Sequence, residues 1–236
     1  REDGIYHAGF SKDGAPLPEK RLCAKLDVLA STCDEHSHNH GVLLKWRDNR
    51  NVTHQWAMPK ALLAGETTDA VRPLYSGGLD IRAGRGTNQK IVEYIQSATP
   101  RHWLTCVNKT GWTHTVYVTA HKVYGADADN YILQSESITT SATNQTTTQG
   151  TLEDWQAHIS RYAVGNDRLI LAICAAFAGA LKHFSDVGNT VLHLHGNSTD
   201  GKTTAAKCAV SVLGSPENVQ LWKATANGLE TVATRY

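Results

Sequence analysis

Val191-Leu-His-Leu-His195, followed by Gly196-Asn-Ser-Thr-Asp-Gly-Lys-Thr-Thr204, decides how this chain is read. The run from Gly196 fits G-x-x-x-x-G-K-[ST] at every fixed position. The residues before it carry apolar side chains at Val191, Leu192 and Leu194 and predict a mostly buried strand. From Lys202 to Leu213, Ala205, Ala206, Ala209, Val210 and Leu213 fall at helical spacing. Strand, glycine loop and helix, in that order, form the context of a phosphate-binding P-loop.

Each position has a chemical reason. Gly196 and Gly201 let the backbone wrap close around phosphate in conformations that a Cβ would obstruct. The consecutive amides of Asn197, Ser198, Thr199 and Asp200, with the helix N-terminus at Gly201 to Thr204, then meet the anionic oxygens. Lys202 is placed to reach the β- and γ-phosphates, and the Thr203 hydroxyl to ligate Mg²⁺. The implied cofactors are therefore ATP and Mg²⁺. The competing reading is a structural glycine turn, which has no need of a strand and a helix on the correct sides. Asp200 is an acid inside a loop meant for phosphate, and its side chain is expected to point to solvent.

Phosphoryl transfer also needs an acid at the end of a neighbouring buried strand. After the loop the only acids are Glu217 and Glu230, and neither ends an apolar strand. Only 236 − 204 = 32 residues follow Thr204, about one βα unit. With no methionine at its start, the chain reads as a fragment, its second catalytic motif lying beyond residue 236. On this reading it binds nucleotide weakly and hydrolyses little.

Bulk properties narrow the class. A net charge of +1 gives no global attraction to nucleic acid or membrane, so such binding requires a local patch. Five cysteines without a CxxC pair favour reduced thiols in a cytosolic, hence cytoplasmic, protein. Arg1-Glu2-Asp3-Gly4 is not a signal segment. The most apolar run, Leu169 to Leu181, is too short for a bilayer, which needs about 20 residues. It predicts a buried helix.

The expected organisation is an α/β protein in two parts: a mixed α/β N-terminal domain over 1–135, then the start of a P-loop NTPase core of RecA or AAA+ type over 151–236. Residues 135–150 (SESITTSATNQTTTQG) have too little apolar area to offset ordering, which makes 136–150 a linker or long loop. In the first part, Gly41–Trp46 and Val52–Trp56 flank the turn-prone Asp48–Asn51 and predict a hairpin. A short helix with Pro59 at its first position is expected at Pro59–Ala64. Another fits Asn88–Ala98, stopped by Pro100. Val116 and Val118 alternate as in a strand. In the second part, Thr151 with Asp154 resembles a capping box, opening a helix to about Ala163, and Asp167 is expected to cap the apolar helix through Phe184.

Other constellations are weaker. His36, His38 and His40 alternate and could grip a transition metal from one face of a strand, but a polar loop satisfies them equally. Lys45, Arg47 and Arg50 beside Trp46 pair cations with an aromatic, as single-strand binders do. Trp46 facing the core with solvated charges around it is the simpler reading. Arg82 to Thr87 could hold a phosphate at a helix start, or form a plain loop with a Thr87 cap. Trp103, Trp112 and Tyr117 are expected in the core rather than as stacking platforms.

The order of motifs carries a resemblance. Gly111-Trp112, Thr151-Leu-Glu-Asp-Trp155, the apolar helix, Gly196–Thr204 and Lys223-Ala-Thr-Ala-Asn-Gly-Leu-Glu230 together resemble the family called domain of unknown function 927, over nearly the whole chain. That family looks like the helicase-type ATPase module of phage and mobile-element replication proteins, often beside a primase domain. The resemblance implies ATP hydrolysis coupled to movement on single- or double-stranded DNA, in a homo-oligomeric ring with an arginine from the neighbouring subunit. Arg161, Arg168 and Arg235 are available but unassigned, as are Thr225, Asn227 and Glu230. Two rivals stand beside this reading: a P-loop small-molecule kinase or phosphotransferase, and a nucleotide-binding module without turnover.

Overall fold

The polar Asp48–Asn51 turn sets the first unit's hairpin, because Asp48 folds the chain back on itself. Its carboxylate accepts the amides of Arg50 and Val52, and Asn51 takes a left-handed conformation at φ 65°. The computed structural model describes residues 1–120, 122–135, 148–188 and 190–219. They fall into two units, one from residues 1–118 and 122–135 and the other from residue 148 onward. The linker expected at 136–150 lies almost entirely outside the described residues.

The first unit is mixed α/β. Its strands are β1 (Ile5–His7), β2 (Lys20–Cys23), β3 (Leu26–Cys33), β4 (Gly41–Arg47), β5 (Thr53–Pro59), β6 (Trp103–Val107), β7 (Gly111–Thr113), β8 (Val116–Val118), β9 (Val123–Tyr124) and β10 (Tyr131–Leu133). A five-stranded sheet runs β10-β6-β3-β4-β5, with β3, β4 and β5 antiparallel and β10, β6 and β3 parallel. Its two edges meet: Ala57 of β5 bridges Gln134 just after β10, and the Trp56 indole donates to the Ser135 carbonyl at 2.8 Å. The sheet is therefore curled nearly into a barrel, which leaves little edge unpaired.

Helices α1 (Thr67–Ser76) and α2 (Thr87–Ser97) cover one face of this sheet. Leu26, Val42, Leu44, Trp46 and Met58 from the strands pack there with Leu74, Ile91 and Ile95. Each such apolar side chain, fully buried, contributes about 1.5–3 kcal/mol of transfer free energy. Trp46 is in the core as expected. Its indole donates to the Gly77 carbonyl at 2.8 Å, and its ring stacks on His54.

Several local expectations need correction. Pro59 closes β5, and the short helix after it is a 3-10 turn, Lys60–Leu63. Thr87 does not cap α2; Gly86, at φ 72°, is the capping residue, and Thr87 is the buried first residue of the helix. Trp103 is 53% exposed, because inward positions of β6 fall to Leu104 and Cys106. The His36–His40 segment is a loop and not a strand. Asp34 accepts the amides of His36 and His38 and the Asn39 side chain, while Ser37 and Asn39 are left-handed. The three histidines therefore do not share a strand face, and no metal-ligating cluster occurs among the described residues.

The second unit is helical among the described residues. Thr151 and Asp154 form the expected capping box on α3 (Leu152–Trp155), which continues through a π-helical turn, Gln156–Ser160, into α4 (Arg161–Ala163). The next helix, α5 (Asp167–Leu181), is capped by Asn166 and not Asp167: the Asn166 side chain accepts the Leu169 amide at 3.1 Å. A 3-10 turn at Lys182–Phe184 follows. The expectation that α5 is buried also fails, since only Ala172 and Ile173 are covered while Leu171, Phe177 and Leu181 are exposed. An all-round apolar helix needs neighbours on every side, and the described residues supply them on one.

Candidate nucleotide-binding site

The glycine loop leads directly into a helix. Thr199 at φ 73° and Gly201 at φ 77° are left-handed, and Gly201 turns the chain directly into α6 (Lys202–Val210). The first amides of any α-helix lack intrahelical partners. At α3 and α5 a capping side chain takes one of them, whereas Gly201 brings none to α6. The N-terminus of α6 is thus open to an anion, with the helix dipole behind it.

Lys202 folds back across the loop. Its Nζ donates to the Gly196 carbonyl at 2.9 Å and to the Asn197 carbonyl. Asp200 is exposed, as expected, yet its carboxylate leans over Gly196. A Cβ added at Gly196 would lie 2.7 Å from Asp200 Oδ2, so a side chain there would have to push that exposed carboxylate aside. Thr203 and Thr204 occupy the first turn of α6, while Asn197, Ser198 and Thr199 form the exposed arch of the loop. All nine residues from Gly196 to Thr204 are therefore brought together in one turn-and-helix unit.

A second contact fixes α6 within its unit. The Trp155 indole donates to Ser211 Oγ at 2.9 Å just past the end of α6, and its ring meets Phe177 of α5 edge to face. Ser211 Oγ in turn donates to the Cys208 carbonyl at 2.7 Å. No sequence signal marked Trp155 or Ser211 as supports of the loop-bearing helix, because the pairing spans 56 positions.

Among the described residues the flanking strand is not formed: 191–195 have no strand partner there, and Val191 is 89% exposed. A strand exists through its neighbours, and no other strand occurs among the described residues of this unit. Glu217 sits in the 3-10 turn Pro216–Asn218 and pairs with Lys207 at 3.1 Å, so it does not face the loop as a magnesium acid. Thr225, Asn227, Glu230 and Arg235 lie outside the described residues. The five cysteines are free thiols, and no helix among the described residues is long and apolar enough to cross a membrane.

A family model described as Domain of unknown function (DUF927) matches residues 1–236. Among solved structures, the chain is similar to one described as "SCCmec type IV Cch - active helicase", at 20% sequence identity and a TM-score of 0.60. The match covers 91% of this chain and 43% of that one, so the chain spans less than half the length of that helicase. At this identity the likeness speaks for the fold. No curated protein matches the chain.

Proposed function

The chain belongs to the family Domain of unknown function (DUF927), and on that premise we propose that it carries the nucleotide-phosphate cradle of a helicase-like P-loop ATPase acting in replication of phage or mobile DNA. One observation carries the reading: Gly201 turns the loop into an uncapped helix N-terminus while Lys202 Nζ spans the loop to the Gly196 carbonyl. The helicase likeness of the fold supports the same reading.

The residues fit a magnesium-bound nucleoside triphosphate. Bound ATP would supply the phosphoryl group whose transfer to water releases free energy. The open amides at the start of α6 would bind phosphate oxygens, and the left-handed turns at Thr199 and Gly201 shape the backbone around them. Lys202 holds its ammonium on two carbonyls, ready to exchange them for phosphate oxygens, a stronger charge-assisted bond. The Thr203 hydroxyl would orient Mg²⁺. Asp200 works against these, since its charge lies beside the arch. In a homo-oligomeric ring, Arg161 or Arg168 could serve a neighbouring subunit.

The test is ATP turnover by the native protein, with and without single-stranded DNA, alongside Lys202→Ala. Turnover that rises with DNA and vanishes in the variant is the expected result. Turnover indifferent to DNA would replace this reading with a small-molecule phosphotransferase, and binding without turnover with a non-catalytic nucleotide module.

A further inference from the structure

The small antiparallel sheet β7-β8-β9 of the first unit presents an aromatic row that the phosphate loop does not use. Residues directly opposite one another in an antiparallel pair share a face. Trp112 stands opposite Tyr117, and Tyr117 opposite Tyr124, so each strand contributes one aromatic side chain to the same face. The alternate positions settle which face this is. Val116 and Val118 are fully buried, so theirs is the covered face of this sheet and the aromatic row points the other way. Tyr124 is 50% exposed, and the Trp112 and Tyr117 rings lie 5.2 Å apart, edge to face.

Cations border this row. Lys122 Nζ lies 5.1 Å from the centre of the Tyr124 ring. Trp112 also lines a cleft of about 870 Å³ together with Lys60 and Lys109. The acids of that cleft are engaged: Asp34 accepts two backbone amides and the Asn39 side chain, and Glu35 pairs with His114 at 2.6 Å. Among the described residues, Lys60 and Lys109 have no carboxylate partner. Lys60 and Lys109 are therefore the ammonium groups that this cleft offers to an anion, beside the carboxylates of Asp34 and Glu35, in a chain that as a whole is close to neutral.

We propose that this face and its cleft bind single-stranded DNA, with bases stacking on Tyr124 and Trp112 and phosphates beside Lys60, Lys109 and Lys122. Aromatic platforms flanked by cations suit a strand whose bases have free faces, and a duplex offers none in its stack. The choice of DNA over RNA rests on the function proposed above. The binding itself does not use the phosphate loop, so Lys202→Ala leaves it intact.

The test is fluorescence anisotropy of a labelled oligothymidine of about 20 nucleotides, a length spanning the usual site sizes. Residues 1–236 are titrated at about 50 and 200 mM salt. Binding should weaken with salt and quench tryptophan fluorescence. Tyr124→Ala should weaken it about tenfold, as loss of one stacked base predicts. Lys60→Glu with Lys109→Glu, both at exposed positions that leave the fold intact, should weaken it further and flatten the salt dependence. Absence of binding at the lower salt would overturn the proposal. So would equal affinity in these variants, with circular dichroism showing them folded. Tighter binding of oligouridine or of duplex DNA would overturn it as well, and so would loss of binding in Lys202→Ala. If ATP fails to bind while the oligothymidine pattern holds, the nucleotide reading falls and this one stands.

Discussion

Gly41→Ala probes the point where the curled sheet closes over the cleft. Gly41 opens β4, opposite Thr32 of β3 and Pro59 of β5. An added Cβ would lie 2.5 Å from Thr32 Oγ1 and 2.6 Å from the Met58 carbonyl, and closer still to Gln134 Oε1. Two of those atoms form the buried Thr32–Gln134 hydrogen bond, 2.6 Å long, and the third is backbone that cannot rotate away. Gln134 also donates to the Asn39 carbonyl at 2.7 Å, so displacing it disturbs the loop beside the cleft. Overpacking costs about 1–3 kcal/mol, and breaking the buried hydrogen bond about 1–3 kcal/mol more. The sum, about 2–6 kcal/mol, should cut protection of β4 amides at least about 30-fold. Hydrogen–deuterium exchange read peptide by peptide follows β4 separately from residues 148–219. Protection of β4 within about threefold of wild type, well under 1 kcal/mol, would refute the steric argument.

Other perturbations follow from individual contacts. The His54 hydrogen bond, with the Val52 amide next, holds the Asp48 carboxyl below its ordinary value. Its stabilisation is therefore full above the unfolded carboxylate range near about pH 4 and is lost as pH falls through the lowered folded value; Asp48→Asn should make acid melting curves shallower there. Burial pushes the Cys23 and Cys106 thiols up to about 11, whereas Cys174 is exposed. Pulse alkylation at neutral pH with peptide mapping should mark Cys174 first, and equal labelling would contradict the described core. In the second unit, Asn166→Ala removes the cap of α5 and should cost about 1 kcal/mol. Gly179→Ala, with nothing within 4 Å of the new methyl, should gain about 0.5–1 kcal/mol; thermal melts followed at the helical band check both signs.

Local features of the fold were legible in the sequence. The β4–β5 hairpin followed from apolar alternation around Asp48–Asn51, α2 from Ile91 and Ile95, and the capping box from Thr151 and Asp154. Each depends on neighbours within a few positions. The curled sheet was not legible, because β3, β6 and β10 pair across long separations that leave no local pattern. Trp103 was misplaced for a related reason: it opens β6, whose inward positions belong to Leu104 and Cys106, so strand propensity and burial part company there. The exposed flank of α5 and the unpaired Val191 show the converse, since hydrophobicity announces a need for neighbours and does not say where they come from. The glycine loop was readable because its nine residues are consecutive. The aromatic row on β7-β8-β9 was hidden, because only cross-strand register puts Trp112, Tyr117 and Tyr124 on one face.

Calorimetric titration of ATP into residues 1–236, with and without Mg²⁺, beside Lys202→Ala, tests the central claim most directly. The account predicts saturable binding that strengthens with Mg²⁺ and weakens about tenfold or more in the variant, the scale of a charge-assisted hydrogen bond. Wild type and variant giving the same isotherm, or neither giving heat, would contradict a phosphate cradle at Gly196–Thr204.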